Sequence, residues 1–170
     1  YESVGGSTAL RKALKRDGNE IADVLAANGV QGRGGAAYDM GKKWRQAREV
    51  KGEHKCVVCN ADEGEPGTFK DRELLTNDPF QLLEGMIIAG WSVGADNGYI
   101  YMREEYSHLR PRLLSAIAQC EEAGYLGDDI LGSGLNYRIH LYSGAGAYVC
   151  GEGSALAESV EGKAGRPRMK

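Results

Sequence analysis

The sequence predicts an α/β fold, a mostly parallel sheet with flanking helices, formed as one domain over residues 1–170. Three observations carry that prediction. Short β-branched and aromatic runs alternate with helical stretches along the chain, the order that builds parallel sheets through helical crossovers. A hydrophobic content of 42% in 170 residues is enough for a single substantial core. Glycine supplies 25 of those residues, about twice its usual share of about 7%, and gathers in separate places without a period, so tight functional loops are expected.

Taken in order, Ser7 stands where it can cap a short helix, TALRKALK. Asp17, with Glu20 three residues on, forms a capping-box-like start for EIADVLAAN, which Asn28-Gly29 closes. A glycine-rich loop follows, GRGGAAYDMGKKW from Gly32 to Trp44, overlapping a polar, helix-prone stretch from Met40 to Val50. KCVVCN from Lys55 to Asn60 reads as a buried strand. It leads into ADEGEPGTFKDR, a second loop, dense in carboxylates. From Pro79 to Gly94 the apolar residues Phe80, Leu82, Leu83, Met86, Ile87 and Trp91 recur at three and four, the pattern of one helix face. After Asn97-Gly98 comes a strand, YIYMRE, and then a helix capped by Ser107 that runs through Ala123 and ends at Gly124. NYRIHLYS from Asn136 alternates as a third strand, feeding a third glycine-rich loop, GAGAYVCGEG, and an amphipathic helix, SALAESVEG. Ligands of such sheets sit beyond the carboxyl ends of the strands, so the three loops are expected to converge on one site. The basic, proline-containing end, GKAGRPRMK, is expected to continue into further chain, and the sequence reads as a fragment.

Charge and composition exclude several classes. A net charge of −3 gives no basic footprint for nucleic acid. The longest apolar run, MIIAGWSVGA from Met86, is too short to insert in a membrane. The first residues lack a signal-peptide layout, which makes a cytoplasmic address the default and leaves attachment at the periphery of a membrane complex open. Four cysteines are too sparse for a disulfide scaffold and read as reduced thiols. Cys56 and Cys59 have metal-ligand spacing, but a strand turns residues three apart to opposite faces. His54, His108 and His140 show no metal spacing, and no metal ligand is expected.

Two familiar loop motifs fail on single residues. A P-loop needs a glycine where Ala36 stands and a hydroxyl where Lys43 stands. A dinucleotide turn built on Gly144 and Gly146 needs a small residue where Val149 stands. The second loop has two readings. Asn60, Asp62, Glu63, Glu65, Lys70, Asp71, Arg72 and Glu73 form either a solvated charge run or, at a strand's carboxyl end, a set of hydrogen-bonding groups for a polyhydroxy or heteroaromatic ligand.

Together GRGGAAYDMGKKW, VCNADEGEPGTFKDRELL, GYIYMREEY, SGAGAYVCGEGSAL and EGKAGRPR, in that order, resemble one family from Gly5 to Lys170. This is the flavin- and NADH-binding, 51 kDa-type subunit of respiratory complex I, with its relatives in NAD-linked hydrogenases and formate dehydrogenases. The resemblance implies a Rossmann-like FMN-binding domain and hydride transfer from NADH to FMN, followed by single-electron release to iron–sulfur protein subunits of a larger redox complex. It implies that Gly32, Arg33, Gly34, Gly35 and Lys43 lie against the flavin and its phosphate side. Asn60, Asp62 and Glu63 would hydrogen-bond the ribityl chain and ring, and Glu65 would face the nicotinamide. Tyr38 takes the place of an aromatic that stacks on adenine. Tyr148, Gly151 and Glu152 belong to a loop near both ligands, and Lys170 falls where the family has a lysine near NADH. No side chain is implied as a catalytic acid or base. The family's 4Fe–4S centre belongs to a region beyond these residues.

Three departures from the family pattern fall on the NADH side: GAAYDMG for GAGFPTG, Gly153 for a second carboxylate after Glu152, and Gln46 for an aromatic. Two functions therefore stand beside each other, an FMN-dependent NAD(P)H dehydrogenase module and a flavin electron-transfer module without nicotinamide activity.

Overall fold

The computed structural model describes residues 1–169. Three strands, β1 (Cys56–Ala61), β2 (Asn97–Met102) and β3 (Arg138–Ser143), form one parallel sheet in the order β1-β2-β3. Ala61, Met102 and Ser143 stand side by side in the register, so all three carboxyl ends reach the same edge. The helices are α1 (Thr8–Ala13), α2 (Gly18–Ala27), α3 (Met40–Glu49), α4 (Lys70–Asn77), α5 (Pro79–Val93), α6 (Arg110–Glu122) and α7 (Gly153–Val160), with tight helical turns at Glu104–Leu109 and Tyr148–Gly151.

Strand alternation sorts the side chains between two faces. Ala61, Ile100, Met102 and Ile139 are buried on one face in a single cluster with Leu83, Met86 and Ile87 of α5 and Leu113, Ala116 and Ile117 of α6. On the other face Tyr101 and Tyr142 stack with ring centres 5.4 Å apart. Leu156 and Val160 of α7 cover that pair. Tyr137 is wholly buried, and two glycines make its room: a Cβ on Gly90 or Gly98 would stand 2.5 or 2.4 Å from its side chain. Gly41, the glycine of the P-loop-like GK pair, has a packing role. A Cβ there would sit 2.3 Å from the Ala22 carbonyl oxygen, where α3 crosses α2.

The structure redraws several elements. β1 is an edge strand, not a buried one, with Cys56, Val58 and Asn60 exposed along one face. Asn97 and Gly98 are the first residues of β2 and not a turn before it. Ser7 makes no side-chain cap; it adopts a left-handed backbone, φ 66°, and its amide donates to Glu84 at 3.1 Å. Ser107 lies inside the helical turn that precedes α6, whose start carries Pro111 instead of a hydroxyl cap. Helix α4 occupies residues the periodicity leaves unassigned, because its first amides are held by a buried acid, Glu63, from the preceding loop. Asp17 and Gly94 do as the sequence indicates: Asp17 caps α2 through the Asn19 amide at 2.8 Å, and Gly94 closes α5 with φ 75°.

Candidate functional site

The three loops meet at the carboxyl edge of the sheet around a cleft of about 700 Å³. Each contributes a wall. Arg33, Gly34 and Gly35 come from the first loop, Asn60, Asp62, Glu63, Glu65, Thr68, Lys70 and Asp71 from the second, and Tyr148 and Gly151 from the third.

The first loop is pinched at its neck. Gln31 and Asp39 form an isolated antiparallel bridge, the Gly32 amide donates to the Tyr38 carbonyl at 2.9 Å, and the Met40 amide donates to the Val30 carbonyl at 2.9 Å. Asp39 then caps α3 by accepting from the Lys42 amide at 2.8 Å. Between neck and tip the chain takes left-handed conformations at Gly35, φ 97°, and Ala37, φ 48°. A Cβ built on Gly34 or Gly35 meets nothing within 4 Å, so their backbone stands open to the cleft.

The second loop turns on two acids with opposite fates. Glu63 points inward, its side chain 1% exposed. Its carboxylate accepts from the amides of Asp71 at 2.8 Å and Arg72 at 3.2 Å, and from the Tyr106 hydroxyl at 2.8 Å. Burial pushes that carboxyl up, but the Asp71, Tyr106 and Arg72 bonds together hold it below the usual carboxylate range. Asp62 is raised instead, by burial, against the pull of Arg103 and with a push from Glu105. Its Oδ2 is buried and has no hydrogen-bond partner among the described residues. Such an orphan in a cleft wall calls for a donor. Asn60 joins the second loop to the third: its Nδ2 donates to the Gly151 carbonyl at 2.8 Å, and its Oδ1 accepts from the Asp62 amide at 3.1 Å.

Tyr148 spans the mouth. Its hydroxyl donates to Glu65, and its ring lies over Gly64, where a Cβ would approach the ring to 2.8 Å. The hydrogen bond to Glu65 raises the phenol's pKa. Behind the second loop Arg103 donates to the Glu63 carbonyl oxygen and pairs with Glu105, whose carboxyl the guanidinium holds down to about 2.

The structure thus brings nine of the residues named from the sequence to one cleft: Arg33, Gly34, Gly35, Asn60, Asp62, Glu63, Glu65, Tyr148 and Gly151. Glu63 contributes its backbone course there, since its carboxylate faces the other way. Gly32, Tyr38, Lys43 and Glu152 are not among its walls. Gly32 sits at the loop's neck. Tyr38 is half-exposed and donates to Gln46 at 3.0 Å, which puts two of the family departures in contact with each other. Lys43 is exposed on α3. Glu152 caps α7, accepting from the amides of Ser154 at 2.9 Å and Ala155 at 3.0 Å. Lys170 lies outside the described residues. Lys70 and Asp71 belong to the charge run read from the sequence but not to the set the resemblance implies, and the structure places both in the cleft wall. Gly64 and Thr68 are the cleft residues that sequence reasoning missed, and nothing local marks Thr68. Among the described residues no three His, Cys, Asp or Glu side chains gather as a metal site, and no helix is long and apolar enough to cross a membrane.

Fold and cleft define a class: an α/β module with a polar cleft between three loops at the carboxyl ends of parallel strands. The family model described as the Nuo51 FMN-binding domain matches residues 25–170, and the chain belongs to that family. It is 48% identical, over its whole length, to an NADH-quinone oxidoreductase subunit of Rhizobium meliloti, of which it covers 41%. It is 44% identical to the NAD-reducing hydrogenase HoxS subunit alpha of Cupriavidus necator, matching 97% of this chain and 28% of that protein. The NADP-reducing hydrogenase subunit HndC of Solidesulfovibrio fructosivorans is also 44% identical, across all of this chain and 34% of its own length. Among solved structures, an NAD+-reducing nickel–iron hydrogenase in its H2-reduced state superposes with a TM-score of 0.83 at 42% identity, covering 93% of this chain and 27% of that one. The chain therefore spans less than half the length of these relatives.

Proposed function

We propose that residues 1–170 form the FMN- and nicotinamide-binding domain of an NAD(P)H dehydrogenase subunit, which passes electrons to iron–sulfur protein subunits of a multisubunit redox complex. One observation carries the reading: the orphaned Asp62 carboxylate oxygen, open glycine backbone and an unpaired guanidinium share the walls of one cleft. Those donors and acceptors fit the two ends of FMN. Arg33, which makes no hydrogen bond or ion pair with any described residue, and the amides of Gly34 and Gly35 suit a phosphate. Asp62 and Asn60 suit ribityl hydroxyls and ring N–H groups. Bound FMN supplies the hydride acceptance and single-electron release that no side chain here can provide. The chain's own part is to hold, orient and exclude water. Glu65 and Tyr148 stand at the mouth, where an incoming nicotinamide would pass, and Tyr38 offers a half-exposed ring to an adenine. Lys170 is assigned to the nicotinamide side by the resemblance.

The test is an anaerobic titration of the complete subunit with NADH and with NADPH. A yellow protein bleached by either supports the reading. A protein that takes up no FMN overturns it.

A second reading has its own observation. Glu152 is engaged in capping α7 and Gly153 has no side chain, so the third loop presents no second carboxylate to a nicotinamide ribose. Bound FMN that neither nicotinamide bleaches would favour a flavin electron-transfer module fed by another donor.

A further inference from the structure

We infer that Tyr106 is a positioning residue for the cleft: acting through the buried carboxylate of Glu63, it fixes the course of the loop that carries Asp62, Glu65 and Thr68. The inference deepens the flavin reading, and rests on it for the ligand-binding consequence alone.

The loop has little regular structure of its own. Its internal backbone bonds are Gly64 amide to Asp62 carbonyl and Thr68 amide to Glu65 carbonyl, each 3.1 Å. Asn60 holds its start and Tyr148 clasps Glu65 from above, and its middle is held by a bracket from behind, built by the residues that follow β2. The Tyr106 hydroxyl, buried, donates to Glu63 at 2.8 Å. Arg103 donates to the carbonyl oxygen of the same residue, so Glu63 is gripped by both side chain and backbone. Arg103 is itself oriented by Glu105, Nε to Oε2 at 2.9 Å and Nη2 to Oε1 at 2.5 Å, and its guanidinium lies 5.5 Å over the Tyr106 ring. The same carboxylate holds the first amides of α4: Oε2, which takes the Tyr106 hydroxyl, also accepts from the Arg72 amide, and Oε1 accepts from the Asp71 amide, with Lys70 Nζ 3.9 Å away.

Neither Tyr106 nor Arg103 lines the cleft. Their reach into it runs through covalent neighbours: Asp62 and Gly64 flank Glu63 directly, and Lys70 and Asp71 open the helix that Glu63 caps. A buried carboxylate keeps one orientation only while its donors satisfy it. Removing the Tyr106 hydroxyl while leaving the ring frees one lone pair and lets the carboxylate rotate. Asp62 then loses its fixed aim.

The experiment uses the complete subunit with Tyr106→Phe, Glu63→Gln and the double substitution. Amide hydrogen exchange at residues 64–72 is read in the FMN-free protein, and the FMN dissociation constant is read by fluorescence quenching. In Tyr106→Phe, exchange at Asp71 and Arg72 is expected to rise about tenfold and FMN affinity to fall about tenfold, the scale of one hydrogen bond to a charged group. The double substitution should weaken FMN binding no further than Glu63→Gln does, because both act through one contact. Exchange and affinity equal to the wild type in Tyr106→Phe would overturn the inference, and so would additive losses. Should Tyr106→Phe not fold, Glu63→Gln alone decides: the same two losses support the bracket, and wild-type values for both overturn it. If the wild-type subunit takes up no FMN, the flavin reading fails, while exchange at Asp71 and Arg72 still decides the positioning role.

Discussion

Two loops face each other across the cleft and are held in opposite ways. The first, residues 32–38, is tied at its neck and leaves Arg33 with no hydrogen bond or ion pair among the described residues. The second, residues 62–69, is gripped from below by Glu63, Arg103 and Tyr106 and clasped from above by Tyr148. A site that needs a fixed acceptor and an adaptable cation gains from this asymmetry. Preorganised groups cost nothing to order at the moment of binding, whereas a free arginine is ordered by the anion it meets. The second loop is thus ordered by the fold, and on the proposed reading the first is left for the FMN phosphate to order.

The largest way to break the contrast is Glu63→Leu. It leaves the buried Tyr106 hydroxyl and two part-buried amides without their acceptor, and chemical denaturation should show a loss of about 3 kcal/mol. A milder change reads the same contact through pH. The Glu63 carboxyl is depressed in the folded state, so its stabilisation is complete above the unfolded value of about 4.3 and is lost as pH falls through the folded one. The stability gap between wild type and Glu63→Gln should be widest near pH 7, begin to narrow below about 4.3 and close only as pH falls through the depressed folded value. Asp62 has the opposite sign. Its carboxyl is raised, its ionised form is a cost that enters as pH rises through that value, and Asp62→Asn should gain stability at neutral pH but not in acid.

On the first loop the expected effects are smaller. Gly35→Ala forces a side chain onto a backbone at φ 97°, and its strain should cost about 1 kcal/mol in denaturant, although the space is open. Arg33→Ala should leave stability within about 0.5 kcal/mol of wild type. Its FMN affinity should nevertheless fall at least about tenfold if the guanidinium meets the phosphate. A large loss of stability in Arg33→Ala would erase the distinction between the two loops.

How far the sequence reached follows from the range of the interactions. Asp17, Gly94 and the α5 face act within a few residues, so local pattern shows them. Cys56 and Cys59 were legible for the same reason, since alternation alone turns them apart, and the structure leaves one exposed and the other half-buried. Burial of β1 was not legible. An apolar run looks the same at the edge of a sheet and at its centre, and only the order β1-β2-β3 exposes Val58. Ser7 and Ser107 fit a local capping rule, but Glu84, 77 residues away, takes the Ser7 amide, and α6 begins at Arg110-Pro111 without a hydroxyl cap. In the loops, residue type marked Glu63 as a polar ligand group. Its direction depended on Tyr106, 43 residues distant.

Composition, periodicity and the order of five motifs determined an α/β fold, three loops gathered at strand ends and membership in a flavin-binding family. Those properties depend on spacing along the chain, which the sequence carries directly. The tertiary structure decided which acid looks into the cleft and which one supports it. Asp62 and Glu63 are neighbours of the same chemistry, and no local rule separates them. Only the donors that arrive from beyond β2 and from the start of α4 satisfy one carboxylate, and none of the described residues satisfies the Oδ2 of the other.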